Sequence, residues 1–208
     1  MTNAKCKICR RLGVKLFLKG ERCLSPKCSL VRKPYPPGIK GKRPRRGFSE
    51  YGKELREKQK LRNWYNLRER QFRKYIKEVL TKRGTENAEE LLIRKLEMRL
   101  DNVVYRLGFA SSRREARQLV SHRHFLVNGR RVNIPSFALK KGDKVALVPG
   151  HREKEKFKKI IPSLKKHDIP SWLKFDYEKL EAEIVSEPKL EEVSPPAEIS
   201  KIFEFYSK

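Results

Sequence analysis

Long apolar runs are missing from this sequence: nowhere in its 208 residues do about eighteen apolar residues follow one another, so no apolar helix can span a bilayer. Met1 to Cys6 also lacks the apolar stretch of a signal peptide, and the expected compartment is the cytosol. Acidic residues are scarce where bases are dense. The first 48 residues hold 15 Lys and Arg against a single acid, Glu21. There is no G-x-S-x-G elbow, no P-loop and no dinucleotide-binding glycine pattern. His122, His124, His151 and His167 have neither metal-ligand spacing nor a neighbouring acid and nucleophile, so spacing reads them as turn or core residues. Trp64 and Trp172 read as packing residues.

What the chain has instead is positive charge. Fifty-two Lys and Arg against 25 Asp and Glu give +27 at pH 7, with charged residues at 37% and hydrophobic residues at only 38%. One large apolar core is disfavoured, and a polyanion, nucleic acid first, is the expected partner that offsets self-repulsion. The charge is uneven: +14 over residues 1–48, +7 over 49–84, +6 over 85–150 and zero over 151–208. From Asp168 onward 10 acids face 5 bases, so the tail is expected to fold back on the protein or meet a basic partner.

Prolines 26, 34, 36, 37 and 44 with glycines 38, 41 and 47 mark residues 1–48 as irregular. A charged helix is expected from Ser49 to about Asn63 with an i,i+4 pair Glu54/Lys58, and a second from Leu67 to Leu80. The second puts Phe72, Ile76 and Val79 on one stripe, puts Arg70, Lys74 and Lys77 on another, and ends at Gly84. A third helix starts near Asn87, with Glu90 as its capping-box partner, and runs through Leu100. A short helix ends at Gly108, and Ser112-Arg113-Arg114-Glu115 opens another with Ala116, Leu119 and Val120 toward the core. Phe125-Leu126-Val127, Asn128-Gly129 and Arg130 to Asn133 read as a hairpin, followed by a strand Lys144–Val148. The expected class is α+β and mostly helical: a metal-stapled basic segment 1–48, a helical part 49–95, an inserted helix-plus-antiparallel-sheet module 96–150, and a segment 151–208 that packs back on the helical part.

Two residues lie between Cys6 and Cys9, four between Cys23 and Cys28, and thirteen between the pairs. Four thiolates at that spacing suit one tetrahedral ion, which would order a segment lacking an apolar core. Zinc is the expected metal, a [4Fe-4S] cluster the rival, and two disulfides fit a reducing compartment poorly. Arg113 and Arg117, with Arg114 beside them, are expected to project away from the core at phosphate-contact spacing, joined by Arg123, Arg130 and Arg131. Lys40, Lys42, Arg43, Arg45 and Arg46 form a non-helical basic loop suited to a single strand or an irregular RNA backbone. Asp101, within Arg99-Leu100-Asp101, reads as a helix cap.

The run Leu96-Glu97-Met98-Arg99-Leu100-Asp101-Asn102-Val103-Val104-Tyr105-Arg106-Leu107-Gly108-Phe109 resembles the family of bacterial small-subunit ribosomal protein four. So do Ser112 to His122, Val127-Asn128-Gly129-Arg130, Leu55 to Lys60, Glu69 to Arg73 and the closing Glu204-Phe205-Tyr206-Ser207-Lys208. The likeness covers nearly the whole chain and is weakest between Glu155 and Pro196. It implies a structural, non-catalytic binder of 16S ribosomal RNA in the small subunit of the cytoplasmic ribosome, acting early in assembly of the 5′ domain. It also implies contact with ribosomal protein five, with ribosomal protein three as a second candidate, and with messenger RNA where it enters the subunit, through Arg43, Arg45 and Arg46. For RNA the further residues so implied are Arg56, Lys60, Arg70, Lys74, Lys77, Arg113, Arg114, Arg117, His122, Asn128 and Arg130; Cys6, Cys9, Cys23 and Cys28 match the metal-holding members. Neither a membrane nor a small-molecule substrate is implied. The alternative is an RNA-modifying enzyme of the pseudouridine synthase kind, which carries the same small module and an aspartate in Arg-Leu-Asp. The residues after 150 are too few for a catalytic domain of their own.

Overall fold

A computed structural model describes residues 4–38, 47–81 and 87–207. The chain divides into two compact units, residues 1–89 with 194–208, and residues 90–193. The second is thus inserted in the sequence of the first.

Unit 1 is helical. Its N-terminal part holds α1 (Ala4–Leu12), α2 (Glu21–Leu24) and α3 (Ser29–Arg32), where an irregular segment is expected. The difference has a simple cause: every proline of this segment lies at residue 26 or later, so the first 25 residues are free to form turns of helix, and the proline-free stretch between Pro26 and Pro34 leaves room for α3. Arg10 clamps the proline-rich stretch that follows, donating from Nε to the carbonyls of Lys33 and Tyr35 at 3.0 and 2.9 Å.

Next come α4 (Glu50–Trp64) and α5 (Glu69–Thr81), close to their expected bounds. Ser49 caps α4 by accepting the Gly52 N–H at 3.3 Å. The chain's last helix, α11 (Ile199–Ser207), also belongs to this unit. Phe72, Ile76 and Val79 of α5 are buried, whereas Arg70, Lys74 and Lys77 are exposed, as the periodicity predicts. Lys58, buried on α4, reaches Glu69 Oε1 at 2.8 Å and lies 4.3 Å from the Phe205 ring centroid. Arg62 holds the other oxygen of Glu69 at 3.0 Å, and the Tyr206 hydroxyl donates to Oε1 at 2.8 Å. Burial pushes the Glu69 carboxyl up, but these donors and charges outweigh it, and its pKa lies below the usual carboxylate range. One acid therefore ties α4, α5 and α11 together.

Unit 2 runs through α6 (Ala88–Glu97), α7 (Leu100–Arg106), α8 (Arg113–Ser121), α9 (Glu155–Leu164) and α10 (Leu190–Val193). Its strands are β1 (Phe125–Val127), β2 (Arg130–Val132), β3 (Lys144–Leu147), β4 (Leu173–Asp176) and β5 (Glu181–Ile184). They form one antiparallel sheet in the order β2-β1-β3-β5-β4. The segment expected to pack back on the helical part does otherwise as far as residue 193. It adds α9 and two strands to the sheet, whose inward residues Leu173, Ala182 and Ile184 join the core around Phe109, Phe125, Phe157 and Trp172.

The helix expected to run on through Leu100 breaks at Met98 and Arg99. The loop from Pro135 to Leu139 takes over the backbone there: Leu139 N–H donates to Met98 O at 2.8 Å, while Leu100 and Asp101 N–H donate to the carbonyls of Phe137 and Pro135. Asn87 caps α6 through the Glu89 N–H at 3.1 Å. The hairpin forms as expected, with Asn128 and Gly129 both at positive φ (48° and 78°), the backbone a two-residue I′ turn requires. Gly108 closes α7 at φ 85°, and a Cβ there would sit 2.8 Å from the His167 ring. His167 also contacts the Arg106 carbonyl at 3.0 Å, which fixes where α9 hands over to the strands. Arg43, Arg45 and Arg46, with Lys40, Lys42 and Gly84, lie outside the described residues.

Candidate nucleic-acid interface

Helix α8 begins as its sequence predicts, with one change. Ser112 accepts the Glu115 N–H at 3.4 Å, but the returning carboxylate binds Ser111, accepting its N–H at 2.9 Å and its hydroxyl at 2.7 Å. Lys156 of α9 joins Glu115 at 2.9 Å.

Arg113, expected to face outward, is buried at 7% exposure. It lies three residues before Ala116 and seven before Val120, which places it on the apolar stripe itself. Its Nε donates to Asn102 Oδ1 at 2.8 Å, its guanidinium stands 4.5 Å from the Tyr105 ring centroid, and Nη2 is 3.9 Å from Glu97 Oε1. Glu97, fully buried, accepts two bonds from Arg106 at 2.9 Å each and one from Asn102 Nδ2 at 2.7 Å. The sequence reading missed this hub. Its signal is an acid closing an α6 face otherwise made of Leu92, Ile93 and Leu96.

Asp101 is a second internal carboxylate. The N-cap of α7 is Arg99, not Asp101 as expected; Asp101 is buried in the first turn and takes both ends of the Arg99 fork at 2.9 and 2.6 Å. Burial pushes its carboxyl up, against the pull of Arg99 and Arg117. An aspartate enclosed in this way is not presented to a substrate.

The bases left facing outward are a subset of those expected. On α8 Arg114 is exposed and Arg117 half-buried; His122, Arg123, Arg130 and Arg131 are exposed around the hairpin. Asn128 serves the fold, donating to Asp143 at 2.8 Å and accepting the Lys144 N–H at 2.9 Å. In unit 1 Arg70, Lys74 and Lys77 are exposed along α5, with Lys74 3.9 Å from Glu78. Arg56 instead holds the Leu12 carbonyl at 2.9 Å and stacks on Phe48, and Lys60 pairs with Glu57 at 2.6 Å.

All four cysteines are reduced and line one cavity together with Lys5, Lys19 and Leu18. Cys9, Cys23 and Cys28 are buried. Burial and the other three sulfurs push the Cys9 thiol up, against a backbone hydrogen bond at Leu16. The donor set is one that zinc accepts, and its four members share a pocket. Among the described residues, however, no three Cys, His, Asp or Glu side chains are arranged as they stand to hold an ion.

Residues 1–97 match the family model for the ribosomal protein S4/S9 N-terminal domain, and residues 98–145 match the S4 domain. The small ribosomal subunit protein uS4 of Syntrophobacter fumaroxidans is 47% identical over 207 residues, covering 100% of this chain and 98% of that protein. The chain belongs to the uS4 family. The uS4 protein of Thermotoga petrophila is likewise 47% identical over 208 residues, 100% of this chain and 98% of its own. That of Thermus thermophilus is 46% identical over 203 residues, 98% of this chain and 96% of its own. The two uS4 family segments meet at Glu97, where α6 ends, and the S4 match stops within β3, so β4 and β5 lie beyond it.

Within this uS4 framework the neighbours Arg113 and Arg114 have opposite roles. Arg113→Ala should destabilise unit 2 by about 1–3 kcal/mol, the cost of leaving its buried partners under-bonded. Arg114→Ala should change stability by less than about 0.5 kcal/mol. Urea unfolding of the two variants checks this, and equal losses would return Arg113 to the surface.

Proposed function

We propose that this chain is a structural component of the small ribosomal subunit that binds 16S ribosomal RNA and has no catalytic activity. The observation that carries the reading is likeness to uS4 proteins along the entire chain, joined to exposed bases on α5, α8 and the hairpin. The enclosure of Asp101 by Arg99 argues against the RNA-modifying alternative. In finer terms, the chain nucleates assembly of the 5′ domain, meets ribosomal protein five and, as a second candidate, ribosomal protein three, and contacts messenger RNA through Arg43, Arg45 and Arg46 where it enters the subunit. Its compartment is the cytoplasm.

Centrifugation of a cell lysate tests the main role. The chain should sediment with the small subunit and stay there through a high-salt wash, as a protein gripping folded RNA by many phosphates does. Release into the soluble fraction at moderate salt would contradict it.

The cysteine cavity supports a structural metal, zinc before an iron–sulfur cluster. A bound ion would draw Cys6, Cys9, Cys23 and Cys28 together and supply folding free energy to a segment rich in positive charge. Cys23→Ser or a strong chelator should then make residues 1–38 protease-sensitive while unit 2 stays resistant. Protein purified anaerobically with neither zinc nor iron, and equally resistant throughout, would remove the metal from the account.

A further inference from the structure

Two bases of unit 2, Arg131 and Lys154, lie beside a pair of histidines, and no carboxylate answers either of them among the described residues. His124 lies just before β1 and His151 in the turn before α9; their Nδ1 atoms are 2.9 Å apart and their rings meet edge to face at 4.6 Å. A contact of that length needs one nitrogen to donate and the other to accept, so the pair carries a single proton between the two atoms. His122 stacks against His124 at 6.2 Å, and the Phe157 ring backs it at 5.2 Å.

Two exposed side chains complete the patch. Arg131 stands on β2 and Lys154 immediately before α9, and neither side chain has a hydrogen bond or ion pair among the described residues. Both are close enough to act on His151, whose pKa is lowered by burial first and then by Lys154 and Arg131. Burial, His151, Lys154, His122 and Lys156 together bring His124 down to about 4. The fixed cations acting on the two rings are Arg131 from β2, Lys154 from just before α9 and Lys156 from α9, with the His122 ring beside them. Lys156 alone has an acid of its own, Glu115. An open arginine and an open lysine beside rings held neutral form a surface that lacks its counter-charge.

We propose that His151, Lys154 and Arg131, backed by His122 and His124, form a further phosphate-binding surface of unit 2, which takes the sugar–phosphate backbone of ribosomal RNA. This rests on the reading of the chain as a binder of that RNA. A phosphodiester here supplies the missing negative charge and raises the affinity of the histidine pair for protons. The complex therefore holds more protons than the free chain, and binding strengthens as pH falls from 8 toward 5.5 by roughly up to tenfold for one proton taken up over one pH unit.

The test uses the full chain and a transcribed 5′-domain fragment of small-subunit ribosomal RNA, with affinity measured across salt and pH. The double variant Arg131→Ala/Lys154→Ala should keep its unfolding midpoint, bind roughly tenfold more weakly near physiological salt, and show a log-affinity against log-salt slope shallower by about two contacts. Arg131→Lys/Lys154→Arg should restore the slope. His151→Gln should flatten the pH dependence and leave the salt slope nearly intact. Unchanged affinity and slope in the folded double variant, while the parent chain binds, would overturn this surface and leave the proposed function standing. A double variant that binds RNA as the parent does but loses polyglutamate would assign the surface to acidic protein and overturn the proposal as well. A parent chain with no salt-dependent affinity for the fragment would overturn the proposed function and this surface with it.

Discussion

Burying a carboxylate is costly unless donors meet its lone pairs, and Glu97 meets that condition with side chains from the two helices that follow it. Arg106 supplies a two-pronged bond and Asn102 a third, while Arg113 brings a second positive charge to 3.9 Å. Because Asn102 and Arg106 lie on α7 and Arg113 on α8, one acid at the end of α6 sets the direction of both helices. The outward aim of Arg114 and the half-exposed position of Arg117 follow from that. Moving Glu97 moves the bases that the chain offers to RNA.

Unit 1 repeats the device in a more open setting. Glu69 gathers Lys58, Arg62 and Tyr206, so the neighbouring helices α4 and α5 share one negative centre with α11, which is distant in sequence. In a chain of net charge +27 a few buried or half-buried acids do much of the organising, and the bases they leave over make the surface. Glu115 shows the same economy, joining Ser111 and Lys156 at the start of α8. Where no acid is spare, as around His124 and His151, the positive field stays open.

Features set by neighbours in sequence were legible. The Asn128-Gly129 turn, the Phe72, Ile76 and Val79 stripe, the Ser112 cap and the Gly108 stop all depend on local backbone geometry or helical period. Features set from far away were not. The break at Met98 and Arg99 is imposed by Phe137 and Leu139, which no local pattern around Leu100 reveals. Arg113 follows the helical period and not its charge, since it shares the stripe of Ala116 and Val120. The strands β4 and β5 alternate plainly, with Leu173 and Phe175 on one face, Lys174 and Asp176 on the other, and Ala182 and Ile184 between exposed or half-exposed glutamates. A count of acids in that segment obscured a readable pattern. The resemblance identified the family, yet Arg56 and Arg113, which match its pattern, are engaged inside the protein.

The account turns on Glu97, and a double-mutant cycle measures it most directly. Urea unfolding of the parent chain, Glu97→Gln, Arg106→Gln and the double variant gives the coupling between the buried acid and its two-pronged partner. Arg106→Gln alone should cost about 3–5 kcal/mol, because it leaves a buried carboxylate short of its main counter-charge. The double variant should regain part of that loss, with a coupling above about 1 kcal/mol. Single losses that simply add, within about 0.5 kcal/mol, would mean that α7 and α8 are held by apolar packing and that the carboxylate is incidental.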